Sequence, residues 1–126
     1  MSNAVPIARF LHTVSSLDVD AIAACFAPDA TYRNMPDPPR VGREPIRAMF
    51  AGVLAGADRV EWEVVSAAYS DDTAWLERVD HFWYDGRRCS IECNGVFRTD
   101  PGSGLLVEVR DYLDRATWTA RRGSAG

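Results

Sequence analysis

Leu76-Glu77-Arg78-Val79-Asp80-His81-Phe82 is the stretch from which the fold is read. In a β-strand, successive side chains point to opposite faces, so Leu76, Arg78, Asp80 and Phe82 share one face. An arginine and an aspartate two positions apart among apolar neighbours are costly to bury unless partners meet them. A partner comes later, in Leu105-Leu106-Val107-Glu108-Val109-Arg110-Asp111-Tyr112-Leu113. There Leu105, Val107, Val109, Asp111 and Leu113 are in phase, which sets one carboxylate on an otherwise apolar face. Two strands that each aim an acid inward, with one arginine to bridge them, predict a buried acid/base site.

Working outward, the same stretch belongs to a strand over 73–84. Asp85-Gly86 is a strong hairpin signal leading to a long strand over 87–99. A strand over 60–69 precedes it across the turn Ser70-Asp71-Asp72, and a strand over 105–114 closes the series after the loop 100–104. The N-terminal half reads differently. Ile7, Phe10, Leu11 and Val14 stand at helical spacing within 5–14. A shorter helix starts at Ser16 or Asp18, runs through Ile22 and Cys25-Phe26, and stops at Pro28. Residues 29–35 read as a strand with Tyr32 and Asn34 on one face. Pro36-Asp37-Pro38-Pro39-Arg40 reads as a stiff loop, since three prolines remove donors and fix φ. Gly42-Arg43-Glu44-Pro45 opens a third helix with the stripe Ile46, Met49, Phe50, Val53 and Leu54, ending at Gly56. Trp118 lies in a polar tail and can pack back on the body, while 121–126 reads as a frayed end. Met1-Ser2-Asn3-Ala4 is given no meaning.

Helices first and a meander of long strands afterwards predict an α+β domain whose sheet curls to enclose a pocket. The 126 residues suit a single domain spanning 1–126. The 47% hydrophobic and 25% charged fractions are those of an ordinary globular protein. A net charge of −4 argues against nucleic acid as a partner. No apolar run has the length of a membrane span and no signal peptide is visible, so the expectation is a cytoplasmic protein with no membrane partner. Cys89 and Cys93, four apart on a strand, would have Cα atoms roughly 13 Å apart, beyond disulfide reach. Free thiols packed as small hydrophobes are expected. Every basic residue other than histidine is arginine, which removes lysine Schiff-base chemistry.

Several of these segments, in this order, resemble the limonene-1,2-epoxide hydrolase family, within the superfamily of nuclear transport factor 2-like and SnoaL-like proteins. Tyr32-Arg33-Asn34-Met35-Pro36, followed by the proline-rich loop and Gly42-Arg43, resembles that family's tyrosine–x–asparagine–methionine–proline segment. Glu77-Arg78-Val79-Asp80 is similar to its arginine–x–aspartate strand, and Arg110-Asp111-Tyr112-Leu113-Asp114 to its closing strand, with Gly95-Val96-Phe97 between them. The resemblance runs from about Asp29 to Asp114. It implies a cone: a curved, mixed but mainly antiparallel sheet with about three N-terminal helices packed on its concave side. It also implies an epoxide hydrolase that works without metal, cofactor or covalent intermediate. By position, Asp80 protonates the epoxide oxygen, and Asp111 deprotonates a water held also by Tyr32 and Asn34. Arg78 lies between the two acids.

Elementary electrostatics supports that division of labour. Two nearby carboxylates in an apolar pocket do not both ionise readily, so one holds a proton while the other stays charged. An arginine can hydrogen-bond both. The substrate expected is a small hydrophobic epoxide, in a pocket lined by Leu76, Phe82, Ile91, Cys93 and Leu113 with Val53 from the third helix. His81 falls on the opposite face from Asp80 and is read as a packing or surface residue. No histidine or cysteine set has metal-ligand spacing. Trp62, Trp75 and Trp83 are expected to cover the helix-free side of the sheet, where they would suit a homodimer interface. Two other functions fit the same fold. One is a ketosteroid isomerase- or polyketide cyclase-like enzyme with one aspartate as base. The other is a non-catalytic module that binds a hydrophobic ligand.

Overall fold

The computed structural model describes residues 2–123. Helices α1 (Ala4–Val14) and α2 (Val19–Ala24) lead into β1 (Phe26–Met35) and the short β2 (Arg40–Val41). Helix α3 (Arg43–Leu54) is followed by β3 (Ala57–Tyr69), β4 (Thr73–Tyr84), β5 (Arg87–Thr99), β6 (Leu106–Tyr112) and α4 (Arg115–Gly123). The strands form one six-stranded sheet in the order β2-β1-β6-β5-β4-β3. Among the described residues only the β1–β6 pair is parallel; the other pairs are antiparallel. The sheet is curved and unclosed, with helices packed on one side, as expected for the cone. No described helix is long and apolar enough to cross a membrane.

Local chemistry explains the elements. Ile7, Phe10 and Val14 form the buried stripe of α1, and Ile46, Phe50 and Leu54 that of α3. Asp18 caps α2 by accepting from the backbone N–H groups of Asp20 and Ala21, both at 3.1 Å. Asp85 and Gly86 both have positive φ (52° and 75°), which a tight hairpin turn requires. Phe10 sits at the centre of the core, with ring centroids of Phe26, Phe50, Trp62 and Phe97 at 5.5, 6.3, 5.9 and 6.0 Å. All three cysteines carry free thiols.

Five details depart from the sequence reading. Helix α2 ends at Ala24, not Pro28, because sheet pairing captures the chain there: Leu106 N–H donates to Cys25 C=O at 2.9 Å. Phe26 then points into the core as the first residue of β1. Arg40, read as loop, is strand-paired directly across from Tyr32. In β6 the buried residue is Leu106, not Leu105. The register against β5 slips by one residue between Arg98/Thr99, and this bulge reverses the alternation upstream while leaving Val109 and Asp111 facing inward. Asn3 is buried, its amide donating to Thr99 Oγ1 at 3.2 Å. Finally, the polar tail is a helix. Asp114 caps it by accepting from Thr117 N–H at 3.1 Å, and Trp118 packs on Phe82 at a centroid distance of 5.0 Å. Of the end read as frayed, Arg121–Gly123 belong to α4, and 124–126 lie outside the described residues.

Candidate active site

β4 pairs with β5 in unbroken register from Thr73↔Arg98 to Tyr84↔Arg87, so the two-residue alternation holds along the whole strand. Leu76, Arg78, Asp80 and Phe82 are all buried, while Glu77 faces out. β6 brings Asp111 beside Gly95 of β5, and its parallel pairing with β1 puts Asn34 next to Asp111. Tyr32, two residues earlier in β1, therefore faces the same interior.

The three charged groups meet there. Arg78 Nε donates to Asp80 Oδ1 at 2.8 Å and Nη2 to Asp80 Oδ2 at 3.1 Å, a forked contact. Nη1 donates to Asp111 Oδ1 at 3.0 Å. Tyr32 hydroxyl donates to the other oxygen of Asp111. Arg78, Asp80 and Asp111 are only 1%, 5% and 3% exposed. The Trp62 ring lies over the guanidinium at 4.2 Å, with Phe97 at 5.5 Å. Gly95 makes this approach possible: a Cβ there would stand 2.4 Å from Arg78 Nη1.

Burial pushes the Asp80 carboxyl up to about 6 against the opposing pull of Arg78. Burial works against the guanidinium of Arg78, yet Asp111 and Asp80 outweigh it and hold the group firmly charged. Burial, reinforced by the Asp111 carboxylate, keeps the Tyr32 phenol protonated far above its ordinary range. Asn34 spends its N–H on the Met49 thioether at 3.3 Å, a weak acceptor, so a water offers it a better partner.

A cavity of about 550 Å³ opens from this cluster towards the surface, within the roughly 300–1,000 Å³ range of small-molecule sites. Asp80, Asp111, Tyr32 and Asn34 border it, as do Val53, Phe82, Ile91 and Leu113. Two residues expected in the lining do not border it. Cys93 lies behind the guanidinium, its sulfur 3.2 Å from Arg78 Nη2, and burial raises its thiol far above the usual range. Leu76, one inward position further along β4, belongs to the hydrophobic core. Arg78 takes the position in front of Cys93.

The sequence reading predicts Trp62 on the helix-free side with Trp75 and Trp83. Trp62 instead borders the cavity, opposite Asp80 in the β3–β4 register, and its indole N–H has no hydrogen-bond partner among the described residues. The signal was present: Trp62 has the same parity as the buried Val60. Trp75 is 48% exposed on the outer face. His81 also faces away from the acids, between Ser90 Oγ at 2.7 Å and Glu63 Oε1 at 2.9 Å. The mouth holds Asp37, Arg40, Arg115, Trp118 and Arg122, none of which the sequence reading placed at the site. Among the described residues, no three His, Cys, Asp or Glu side chains gather so as to hold a metal ion.

The sequence matches the family described as the SnoaL-like domain over residues 7–109. A protein from Shewanella denitrificans assigned as a SnoaL-like polyketide cyclase superposes with a TM-score of 0.84, covering 97% of this chain and 97% of its own, at 14% identity. A Catenulispora acidiphila protein of ketosteroid isomerase-like fold, in complex with trimethylamine, superposes with a TM-score of 0.78 at 20% identity. That match covers 94% of this chain and 92% of the other. At these identities the likeness is one of fold.

Proposed function

Because this chain belongs to the SnoaL-like domain family and holds an arginine-bridged pair of acids in an apolar cavity, we propose that it is a cofactor-independent epoxide hydrolase of the limonene-1,2-epoxide hydrolase type. The observation that carries this reading is Arg78, hydrogen-bonded to Asp80 and Asp111 at once, with Tyr32 on the second acid. An isomerase or cyclase using one aspartate as base needs its donor group neutral and isolated. A guanidinium gripping both carboxylates suits a proton donor and a proton acceptor acting together.

In the proposed reaction, a water between Asp111 and Asn34 gives its proton to the Asp111 carboxylate. Its oxygen bonds to one epoxide carbon, the carbon–oxygen bond breaks, and the ring oxygen takes the proton from Asp80. The product is a vicinal diol, with Asp80 ionised and Asp111 protonated. One proton passes back from Asp111 to Asp80 through solvent before the next cycle. Asp80 suits the acid role because its raised affinity for a proton lies near neutrality, where general acids work best. Asp111 suits the base role because Arg78 and Tyr32 donate to its two oxygens and fix it beside Asn34. Val53, Phe82, Ile91 and Leu113 supply the apolar wall for the rest of the substrate.

The test is diol formation from a panel of racemic epoxides by the protein and by Asp80→Asn and Asp111→Asn. Each substitution is expected to lower kcat by about 10²–10⁴-fold while circular dichroism stays unchanged. Full activity in both variants would defeat the reading. Hydrophobic ligands that bind while no epoxide turns over would favour a binding module. For assembly, the proposal is a homodimer through the outer sheet face, where Trp75 and Tyr112 stand exposed beside a shallow groove.

A further inference from the structure

Arg40 is an unspent charge at the entrance to the cavity. It sits in β2 directly across from Tyr32, and cross-strand neighbours in an antiparallel pair share a face. Its side chain accordingly borders the cavity that Tyr32 lines, and it is half-buried. Its guanidinium has no hydrogen bond or ion pair with any described residue. The other charges at the mouth are engaged. Arg115 pairs with Asp37. Arg122 lies over Tyr84 at 4.8 Å and Trp118 at 5.8 Å and donates to Gly52 C=O at 3.3 Å.

The charges are also ordered with depth. At the inner end the one guanidinium is already engaged by both acids, so it offers an incoming anion no free cation. The mouth holds three arginines against Asp37, on a chain whose net charge is −4. A ligand matching both ends is neutral and apolar where it meets Asp80 and Asp111, and negative where it leaves the cavity. An arginine fork matches a carboxylate in geometry as well as charge. Resting on the hydrolase reading, we propose that Arg40 binds a carboxylate carried by the substrate. The site then takes epoxides of amphipathic carboxylic acids, held with the acid group outward and the reacting ring inward, in preference to plain hydrocarbon epoxides.

Binding tests this without any turnover. Decanoic acid and 1-decanol are compared by titration calorimetry with the protein, with Arg40→Gln, and with Arg9→Gln, which removes an equal charge from the exposed face of α1. Decanoic acid is expected to bind about tenfold more tightly than the alcohol, with the margin shrinking as salt is raised. Arg40→Gln is expected to abolish the margin and Arg9→Gln to keep it. Equal affinity for acid and alcohol, or a margin that survives Arg40→Gln, would overturn the proposal. Turnover of an epoxy carboxylic acid against its methyl ester then separates the two readings. Neither substrate giving diol would count against the hydrolase while the binding margin stands. Both turning over with equal kcat/KM would count against Arg40 alone.

Discussion

Replacing Gly95 with alanine puts a Cβ 2.4 Å from Arg78 Nη1, 2.7 Å from Asp111 Oδ1 and 2.7 Å from Phe97 Cε1. An ordinary contact needs at least 3.4 Å, so the guanidinium has to retreat by about 1 Å. It is not free to do so, being held by Asp80 on one side and covered by Trp62. A retreat of that size stretches the 3.0 Å bond to Asp111. Losing a hydrogen bond between charged groups costs about 1.5–3 kcal/mol, and overpacking a filled interior costs about 1–3 kcal/mol. Gly95→Ala is therefore expected to lose about 2.5–6 kcal/mol of stability in urea unfolding. Misplacing the acids by a similar distance should lower kcat by about 10²-fold. Gly52→Ala is the control: nothing lies within 4 Å of its Cβ and it sits in α3, so stability should rise by about 0.5–1 kcal/mol. A Gly95→Ala protein with stability and kcat unchanged would refute the packing of Arg78 against β5.

The remaining expectations concern proton, water and assembly. Asp80 binds its proton up to about pH 6, against 3.8 for an ordinary aspartate. If it acts as the acid, kcat/KM falls tenfold per pH unit above about 6; a flat profile from pH 5 to 9 would exclude that role. The same group favours folding fully below about pH 4, and that contribution is lost as pH rises through about 6. Stability relative to Asp80→Asn should thus fall by about 3 kcal/mol over that interval, and a rise in urea unfolding experiments would reverse the sign of the burial effect. Asn34→Leu removes a water-holding amide and should lower kcat by about 10²-fold with KM little changed; loss confined to KM would make Asn34 a substrate contact. Trp75→Glu places a charge on the exposed sheet face and should convert a dimer to a monomer in sedimentation equilibrium. A wild-type monomer would contradict the proposed assembly.

Much of this was legible because β4 keeps strict alternation over its full length: once the phase of Arg78 is fixed, that of Asp80 and Phe82 follows. The Asp85-Gly86 turn set the register between β4 and β5. What stayed hidden depends on contacts far apart in sequence. The Leu106 bulge is set by pairing with β5, and no local pattern marks it. Arg40 looked like loop because the prolines before it dominate the local signal, yet its pairing with Tyr32 makes it strand. Helix α4 lacks an apolar stripe. It is held by one tryptophan on Phe82 and by arginine contacts such as Arg121 Nη1 to Ser90 C=O at 2.9 Å. Cys93 and Leu76 had the right parity for the pocket, but Cys93 is covered by the Arg78 guanidinium and Leu76 packs into the hydrophobic core.

A single turnover in heavy-oxygen water, with protein in excess over an epoxide substrate, is the most direct test of direct water addition between Asp80 and Asp111. The diol should carry one heavy oxygen after that first cycle, and no label should enter the protein. Unlabelled diol with label in an aspartate would mean a covalent ester instead, and a rearranged product without solvent oxygen would mean an isomerase or cyclase.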